Sequence, residues 1–434
     1  RNEKHMKKFI TLLVVALMAF SFAGCTSNNE PTGGDTPAAK TKITIWGTWT
    51  DAQVEALTKY AADFTAQSDK YEVVYEGQVY QGYDGTVKNA VVAGAGPDII
   101  IDYASTASGY AELGKIVDLK DKVSADTIAQ LTTGAYEEAN SFNDGGMYVF
   151  PIVLSGPVLW YNPDILAAAG VEVPTTWEEL WAASEKISST VTVVTDAEGN
   201  KSYVTDGTGE HIYGFADDSS TDLAETWIKQ LGQEICDTTT GDALFNTPEL
   251  AAVLTTYQNA ISNGSVLPAP TGDYVSTDFN SGIVAMYYGS VAGEPYLSET
   301  HSAAKVPTIA NGTPWAAAWQ RGVLVFDYAD EARTAGAIEF LEYFVSAEIN
   351  ADWCKQCNYQ SCLKWTMERD DYKAFLDSSV SLQSLEPEIA GSLPAIPAGT
   401  AIRAALKTLV KSTAAGVDVN TALAEAVQYV ADNK

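Results

Sequence analysis

The hydrophobic pattern between residues 43 and 101 alternates between the period of a strand and the period of a helix. It predicts, in order, a strand at 43–46, a helix through 54–64, a strand at 71–75, a helix at 85–93 and a strand at 99–101. Such alternation predicts an α/β fold whose sheet is covered on both faces. The loops that follow the carboxyl ends of these strands are then expected to line a ligand crevice.

A second pattern, from Phe150 to Leu180, predicts a connection between two lobes. Its apolar, β-branched and aromatic residues are interrupted by Ser155-Gly156-Pro157, which predicts two strand pieces with a bend between them. A helix is predicted after Asn162-Pro163, and Thr175 or Thr176 is the candidate N-cap of the next helix.

Length and charge narrow the class of protein. The chain from about residue 43 onward is too long for one typical core and predicts two domains. A formal net charge of −30 predicts a surface that repels nucleic acid and anionic lipid headgroups and favours a neutral or cationic partner.

The N-terminal residues have the pattern of an export signal. A short basic region, Met6-Lys7-Lys8, precedes an apolar run at 9–20, and Phe22-Ala23-Gly24-Cys25 resembles a bacterial lipobox. We therefore expect a signal peptide over residues 1–24, lipidation of Cys25 and a flexible tether over residues 25–40, which is rich in Pro, Gly, Thr and Asn. An ordinary signal peptide with a coincidental cysteine is the alternative.

The remaining cysteines are Cys236, Cys354, Cys357 and Cys362. The Cys-x-x-Cys pair lacks a second such pair and a nearby histidine, which argues against a metal site. Disulfide and free thiol both stay open.

Catalytic motifs are sparse. The exported chain has only His211 and His301, and it contains neither Gly-x-Ser-x-Gly nor His-Glu-x-x-His, which argues against triad hydrolases and zinc proteases. Gly94-x-Gly96 precedes a strand instead of a helix, so we reject a nucleotide loop. A glycosidase needs only two carboxylates and stays open.

Seven short motifs follow one another along the chain. They are Ile43-Thr44-Ile45-Trp46, Gly96-Pro97-Asp98-Ile99-Ile100, Trp160-Tyr161-Asn162-Pro163-Asp164, Pro174-Thr175-Thr176-Trp177, Phe245-Asn246-Thr247-Pro248-Glu249, Phe279-Asn280-Ser281-Gly282-Ile283-Val284-Ala285-Met286 and Ser346-Ala347-Glu348. Together with the lipobox they resemble the extracellular solute-binding proteins of ABC importers, of the maltodextrin-binding type. The segment 354–366 departs from that family, which usually has a glycine- and proline-containing strand there.

The resemblance implies a type II periplasmic-binding-protein-like fold, in which a hinge joins two α/β lobes with a ligand cleft between them. It implies an N-terminal lobe of residues 41–154 and 308–328 and a C-terminal lobe of residues 155–307 and 329–434. It also implies a monomeric, non-enzymatic receptor without a cofactor or metal, which closes on its ligand and delivers it to a membrane permease.

The cleft loops carry side chains suited to sugars, which need aromatic platforms and polar groups that donate and accept hydrogen bonds. Trp49, Trp227 and Trp319 can equally be packing residues, Asp102 can be a solvated carboxylate, and Arg321 can be an ion-pair partner. We expect ligand contacts from Trp49, Thr50, Gln78, Asp102, Tyr103, Ser155, Asp222, Trp227, Tyr288, Ser290, Trp319 and Arg321.

We therefore expect an extracytoplasmic, lipid-anchored receptor that captures a carbohydrate, in particular an oligosaccharide. A cell-surface glycan-binding lipoprotein without a transporter and a glycoside hydrolase are the alternatives. The family also includes receptors for monosaccharides, polyols and glycerol-phosphate compounds, and the sequence does not choose among these ligands.

Overall fold

The computed structural model describes residues 39–49, 51–79, 81–270, 274–386, 390–391, 396 and 398–434. The predicted signal peptide, Cys25 and almost all of the tether lie outside these residues. The strands are β1 (Thr41–Gly47), β2 (Tyr71–Gly77), β3 (Ile99–Tyr103), β4 (Phe150–Ser155), β5 (Pro157–Tyr161), β6 (Thr192–Thr195), β7 (Lys201–Val204), β8 (Glu210–His211), β9 (Tyr213–Asp217), β10 (Val284–Ser290), β11 (Ser302–Ala304), β12 (Ala316–Ala317), β13 (Trp319–Val325), β14 (Gln360–Ser361) and β15 (Ala390–Gly391).

Helices alternate with these strands through most of the chain, and a 3₁₀-helix spans Val291–Tyr296. The α-helices are α1 (Asp51–Gln67), α2 (Tyr83–Val92), α3 (Ala104–Glu112), α4 (Ala125–Ile128), α5 (Thr133–Ala139), α6 (Pro163–Ala169), α7 (Trp177–Thr190), α8 (Ser220–Gln230), α9 (Pro248–Ser262), α10 (Ser276–Ser281), α11 (Glu331–Phe344), α12 (Ala347–Cys357), α13 (Lys364–Met367), α14 (Asp370–Ser378), α15 (Val380–Ser384), α16 (Gly399–Ala414) and α17 (Val419–Asn433).

The first sheet has six strands in the order β14-β4-β13-β3-β1-β2. β1 runs parallel to β2 and β3, whereas β13 runs antiparallel to β3 and β4. Two apolar clusters pack against it, one with Ile43 and Phe340 and another with Ile100 and Leu324. The predicted strand–helix alternation and its sheet covered on both faces are thereby confirmed.

The second sheet has four strands in the order β11-β5-β10-β9, and a separate buried cluster lies against it. β4 belongs to the first sheet and β5 to the second, so Gly156 is the only residue between the two sheets at this point. A Cβ atom at Gly156 would lie 2.7 Å from Leu385 Cδ1, which explains the small residue at this bend. The two-lobe fold class is confirmed.

The helix signals after the bend are confirmed as well. Asn162 caps α6 through its side-chain oxygen, which accepts from the amide of Asp164 at 2.9 Å. Thr176 and Glu179 form a capping box at the start of α7, so Thr176 is the N-cap.

The predicted lobe boundaries first need a correction in the segment that follows residue 329. Phe340 and Phe344 of α11 pack against Phe64 and Tyr60 of α1, with ring centroids 5.5 and 5.9 Å apart. α11, α12 and β14 therefore pack with the six-stranded sheet and not with the second lobe. Only the apolar helix pattern was visible in the sequence, and it does not specify which sheet a helix covers.

The two later connections between the sheets also fall further along the chain than expected. The amide of Ala317 still donates to Thr226 Oγ1 in the second lobe at 3.1 Å, so that connection lies at Ala318 instead of near residues 306–307. The last connection comes after α14, because Ser384 of α15 donates to the carbonyl of Ala303 in the second sheet at 3.0 Å.

The four cysteines among the described residues are buried thiols. Cys236, Cys354, Cys357 and Cys362 are all free. Across the described ranges, no three His, Cys, Asp or Glu side chains are grouped so that they could hold a metal ion. Within the same ranges no helix combines the length and the apolar character needed to cross a bilayer.

Candidate ligand-binding cleft

A cavity of about 270 Å³ lies where the two sheets meet. Its walls come from the ends of β3, β4 and β13 on one side and from β10, the β9–α8 connection and α16 on the other. The lining residues are Tyr103, Val153, Ser155, Asp218, Ser219, Asp222, Tyr274, Ser290, Trp319, Arg321, Tyr359 and Arg403.

Strand register builds the first wall. Arg321 pairs with Tyr103 on β3 and with Val153 on β4, and Trp319 pairs with Ser155. Residues two apart on a strand share a face, so Trp319 and Arg321 both point into the cavity. The Nε atom of Arg321 donates to the Tyr103 hydroxyl at 2.9 Å, and the rings of Tyr103 and Trp319 meet edge to face at 5.3 Å.

The second wall is held to the first through Trp319. Its indole N–H donates to Asp222 Oδ2 at 2.9 Å, and the guanidinium of Arg403 lies 3.6 Å from its ring centroid. Arg403 also donates to Glu225 Oε1 at 3.2 Å. Trp319 therefore has one face covered by a cation.

Two hydroxyl groups meet at the base of the cavity, one from each sheet. Ser155 Oγ and Ser290 Oγ lie 2.8 Å apart, and either can donate. Ser290 Oγ also accepts the amide hydrogen of Ala292 at 3.1 Å. Paired hydroxyls can both donate to and accept from a ligand hydroxyl.

Burial shapes the electrostatics of the second wall. Desolvation raises the pKa of Asp218 to about 6, and it raises the pKa of Asp222 despite the opposing charge of Arg403. The pKa of Glu225, a fully buried carboxyl, rises to about 8 for the same reason. Asp222 Oδ1 and Glu225 Oε2 are buried without a hydrogen-bond partner among the described residues. Of these two, Asp222 lines the cavity, and its open oxygen suits a hydroxyl donor of a ligand or ordered water.

The structure brings half of the predicted site residues together. Six line the cavity, namely Tyr103, Ser155, Asp222, Ser290, Trp319 and Arg321. Trp49 lies beside them, with its ring centroid 4.8 Å from the Arg321 guanidinium carbon. Asp102 is adjacent along β3 and accepts from the amide of Tyr103 at 2.8 Å. Burial raises its pKa to about 6.

Two predictions are wrong because the side chains lie in the core. Trp227 is 0 % exposed and packs on Trp177 and Tyr257 at centroid distances of 5.5 Å. Tyr288 is also 0 % exposed, and its hydroxyl lies 2.8 Å from Thr226 Oγ1. Neither reaches the cavity.

The last two predicted residues, Gln78 and Thr50, are not among the described residues that line this cavity. Gln78 lies outside its lining, and its amide nitrogen is 3.4 Å from the carbonyl oxygen of Glu76. Thr50 falls outside the described residues.

Sequence reasoning missed half of the lining. Asp218 and Ser219 lie on the β9–α8 connection, just before the predicted Asp222 in α8, so the position of that connection after a strand was a usable signal. Arg403 lies inside α16 and Tyr359 follows α12, and neither carries a local motif. Only the packing of these helices brings them to the cleft.

The fold and the cleft define a two-lobed protein with a cavity lined by polar side chains where its two sheets meet. The sequence profile of the bacterial extracellular solute-binding proteins matches residues 59–374, and the chain belongs to this family. Members of this family are substrate-binding proteins rather than enzymes, and they act outside the cytoplasm.

Two curated relatives illustrate the similarity. The osmoprotective compounds-binding protein GgtB of Synechocystis sp. is 30% identical over 185 residues, which span 42% of this chain and 42% of that protein. The maltodextrin-binding protein MdxE of Bacillus subtilis is 23% identical over 444 residues, which cover 99% of this chain and 98% of MdxE.

Solved structures support the fold. The GacH receptor of Streptomyces glaucescens, solved unliganded and with acarbose, aligns with a TM-score of 0.75 at 17% identity, covering 91% of this chain and 100% of its own. The cyclic α-maltosyl-1,6-maltose binding protein of Arthrobacter globiformis aligns with a TM-score of 0.72 at 20% identity, covering 90% of this chain and 98% of its own.

Proposed function

We propose that this protein is the lipid-anchored receptor of an ABC importer and that it captures a carbohydrate, in particular a short oligosaccharide, in the cleft around Trp319. The observation that carries the proposal is the composition of the cavity. An indole, paired serine hydroxyls, carboxylates and two guanidiniums converge there from both sheets. This set matches the C–H faces and hydroxyls of a sugar.

Two of the similar proteins support the same ligand class, the maltodextrin-binding protein MdxE and the GacH receptor solved with acarbose. The cavity volume of about 270 Å³ favours a short sugar, because it lies just below the usual range of small-molecule pockets, roughly 300–1,000 Å³.

Capture would proceed by hinge closure. A ligand that contacts Ser155 and Arg321 on one sheet and Asp222 on the other gains its full set of hydrogen bonds only when the lobes are together. Its binding therefore shifts the population toward the closed form. The permease would recognise that closed form.

A thermal-shift screen of the exported chain against a sugar library tests the proposal, because a ligand that binds only the folded state raises the Tm. We expect at least one carbohydrate to stabilise the protein and to be recovered intact after long incubation. Recovery of shorter products would favour a glycoside hydrolase, and a library without any stabilising sugar would refute the proposal.

The membrane anchor is tested separately. We expect radioactive palmitate to label the full chain in a bacterial host and the Cys25→Ala variant to lose the label, because a diacylated cysteine is the proposed attachment point. Equal labelling of both chains would contradict lipidation at Cys25.

A further inference from the structure

Arg321 is distinguished from the other arginines in the described ranges by its lack of an ion pair. Arg333, Arg369 and Arg403 lie 2.7, 2.9 and 3.2 Å from the carboxylate oxygens of their partners. Within the same ranges, no carboxylate oxygen lies within 4.0 Å of the Arg321 guanidinium. The chain has 56 acidic and 26 basic residues, so carboxylates are abundant. Asp102 on β3 lies beyond ion-pair distance but still interacts with Arg321, whose charge partly offsets the rise that burial causes in the Asp102 pKa. Among the described arginines, Arg321 is thus the one without a carboxylate in direct contact.

The guanidinium of Arg321 is nevertheless held in place. Its Nε atom donates to the Tyr103 hydroxyl at 2.9 Å, and its carbon lies 4.8 Å from the ring centroid of Trp49 and 5.0 Å from that of Tyr103. Its two terminal nitrogens donate to no protein acceptor that the structure describes. A fixed planar fork with both terminal nitrogens open is the geometry that binds a carboxylate or phosphate through two parallel hydrogen bonds.

The charges around the cavity are distributed unequally between its walls. The first wall, built by β3, β4, β13 and Tyr359, contributes Arg321 as its only charged lining residue among those described. The second wall contributes Arg403 together with Asp218 and Asp222, and Arg403 lies 3.9 Å from Asp222 Oδ1 and 3.2 Å from Glu225 Oε1. An anionic group is therefore favoured at the first wall and disfavoured at the second.

We propose that the sugar taken by this cleft carries one anionic group, a carboxylate or a phosphate, and that Arg321 binds it. The inference rests on the proposed function, because it specifies the chemistry of the ligand in the same cleft. Ligand hydroxyls would then donate to Asp218 and Asp222 on the opposite wall. The net charge of −30 predicts a neutral or cationic partner for the whole surface, and Arg321 reverses that expectation locally.

Matched sugars test the inference. The Tm is measured with D-glucose, D-glucuronate and D-glucose 6-phosphate, with D-galactose and D-galacturonate, and with the neutral and uronate-terminated forms of each oligosaccharide that stabilises the protein in the library screen. We expect an anionic member to raise the Tm more than its neutral counterpart. Stabilisation by uronates alone identifies a carboxylate site, and stabilisation by the phosphate alone identifies a phosphate site.

Variants identify the residue responsible. Arg321→Gln should weaken the best anionic sugar roughly 10- to 150-fold, since hydrogen bonds to charged groups are lost, and should weaken its neutral counterpart less. Arg369→Gln is the matched control, because Arg369 forms a surface ion pair outside the cleft. Urea unfolding of both variants verifies that each is folded.

The outcomes separate this inference from the proposed function. If neutral sugars bind at least as tightly as their anionic counterparts, the carbohydrate receptor stands and the anionic group is refuted. The same conclusion follows if Arg321→Gln weakens both members equally. If no sugar of either kind changes the Tm, both proposals fail.

Discussion

Trp227 was predicted to contact the ligand but lies in the core, and substituting it gives a quantitative test of that position. The side chain is 0 % exposed, its ring contacts Trp177 and Tyr257, and its indole N–H has no partner among the described residues. Trp227→Ala therefore removes packing alone. Truncation of a buried aromatic side chain of this size costs about 3–5 kcal/mol.

The expected loss is large enough to measure by thermal unfolding. With a slope of about 2–4 °C per kcal/mol for a domain the size of one lobe, the Tm should fall by roughly 6–20 °C. Trp227→Phe retains a buried ring and should lose less. Both variants are followed by circular dichroism during heating, and a sugar identified by the screen is titrated into each at a temperature where it is folded.

We expect affinity to change little in the folded variants, because Trp227 does not line the cavity. An unchanged Tm together with lost binding would refute the assignment of Trp227 to the core.

Further predictions cover the cleft, the backbone, titration and the thiols. Trp319→Ala should weaken the ligand about tenfold or more, because the central aromatic platform is lost, and unchanged affinity in a titration would remove Trp319 from the site. Gly322→Ala should lower the unfolding free energy by roughly 1–3 kcal/mol, because its Cβ would lie 2.6 Å from the carbonyl oxygen of Phe150. Gly85→Ala is the control and should not lower it, because a Cβ there meets no atom within 4 Å. Equal urea midpoints of the two variants would contradict the prediction. Burial raises the pKa of Glu225 from 4.5 to about 8, so the folded state binds this proton more tightly than the unfolded state, and the free energy of unfolding should fall as the pH rises from 4.5 to 8. Glu225→Gln should make the free energy of unfolding, measured in urea, depend less on pH. Parallel pH profiles of the two proteins would count against this prediction. In the Cys25→Ala variant a thiol reagent should react only after denaturation, and rapid reaction of the native protein would contradict the buried state of Cys236, Cys354, Cys357 and Cys362.

Much of the secondary structure at the start of each lobe was predictable because its signals are local. The strand and helix periods of residues 43–101 and the cap at Thr176 depend on neighbours within a few positions. The bend at Gly156 was predictable for the same reason, since Gly-Pro interrupts a smooth strand.

The predictions of ligand residues fail where the direction of a side chain around its helix decides whether it reaches the cleft. Asp222 and Trp227 share α8 but are five residues apart, which places them about 140° apart around the helix axis. One therefore reaches the cleft while the other faces the core. Arg403 could not be predicted as a cleft residue from the sequence, because α16 reaches the cleft through tertiary packing alone. For the same reason the sequence did not indicate which lobe α11 covers.

The central claim is that a small ligand joins two lobes across the cleft that contains Trp319, Arg321 and Asp222. Small-angle X-ray scattering of the exported chain, with and without a saturating sugar from the screen, tests it most directly. We expect the radius of gyration to fall when the sugar is added, because contacts to both sheets favour closure. A sugar that binds tightly while the scattering profile stays unchanged would contradict the claim.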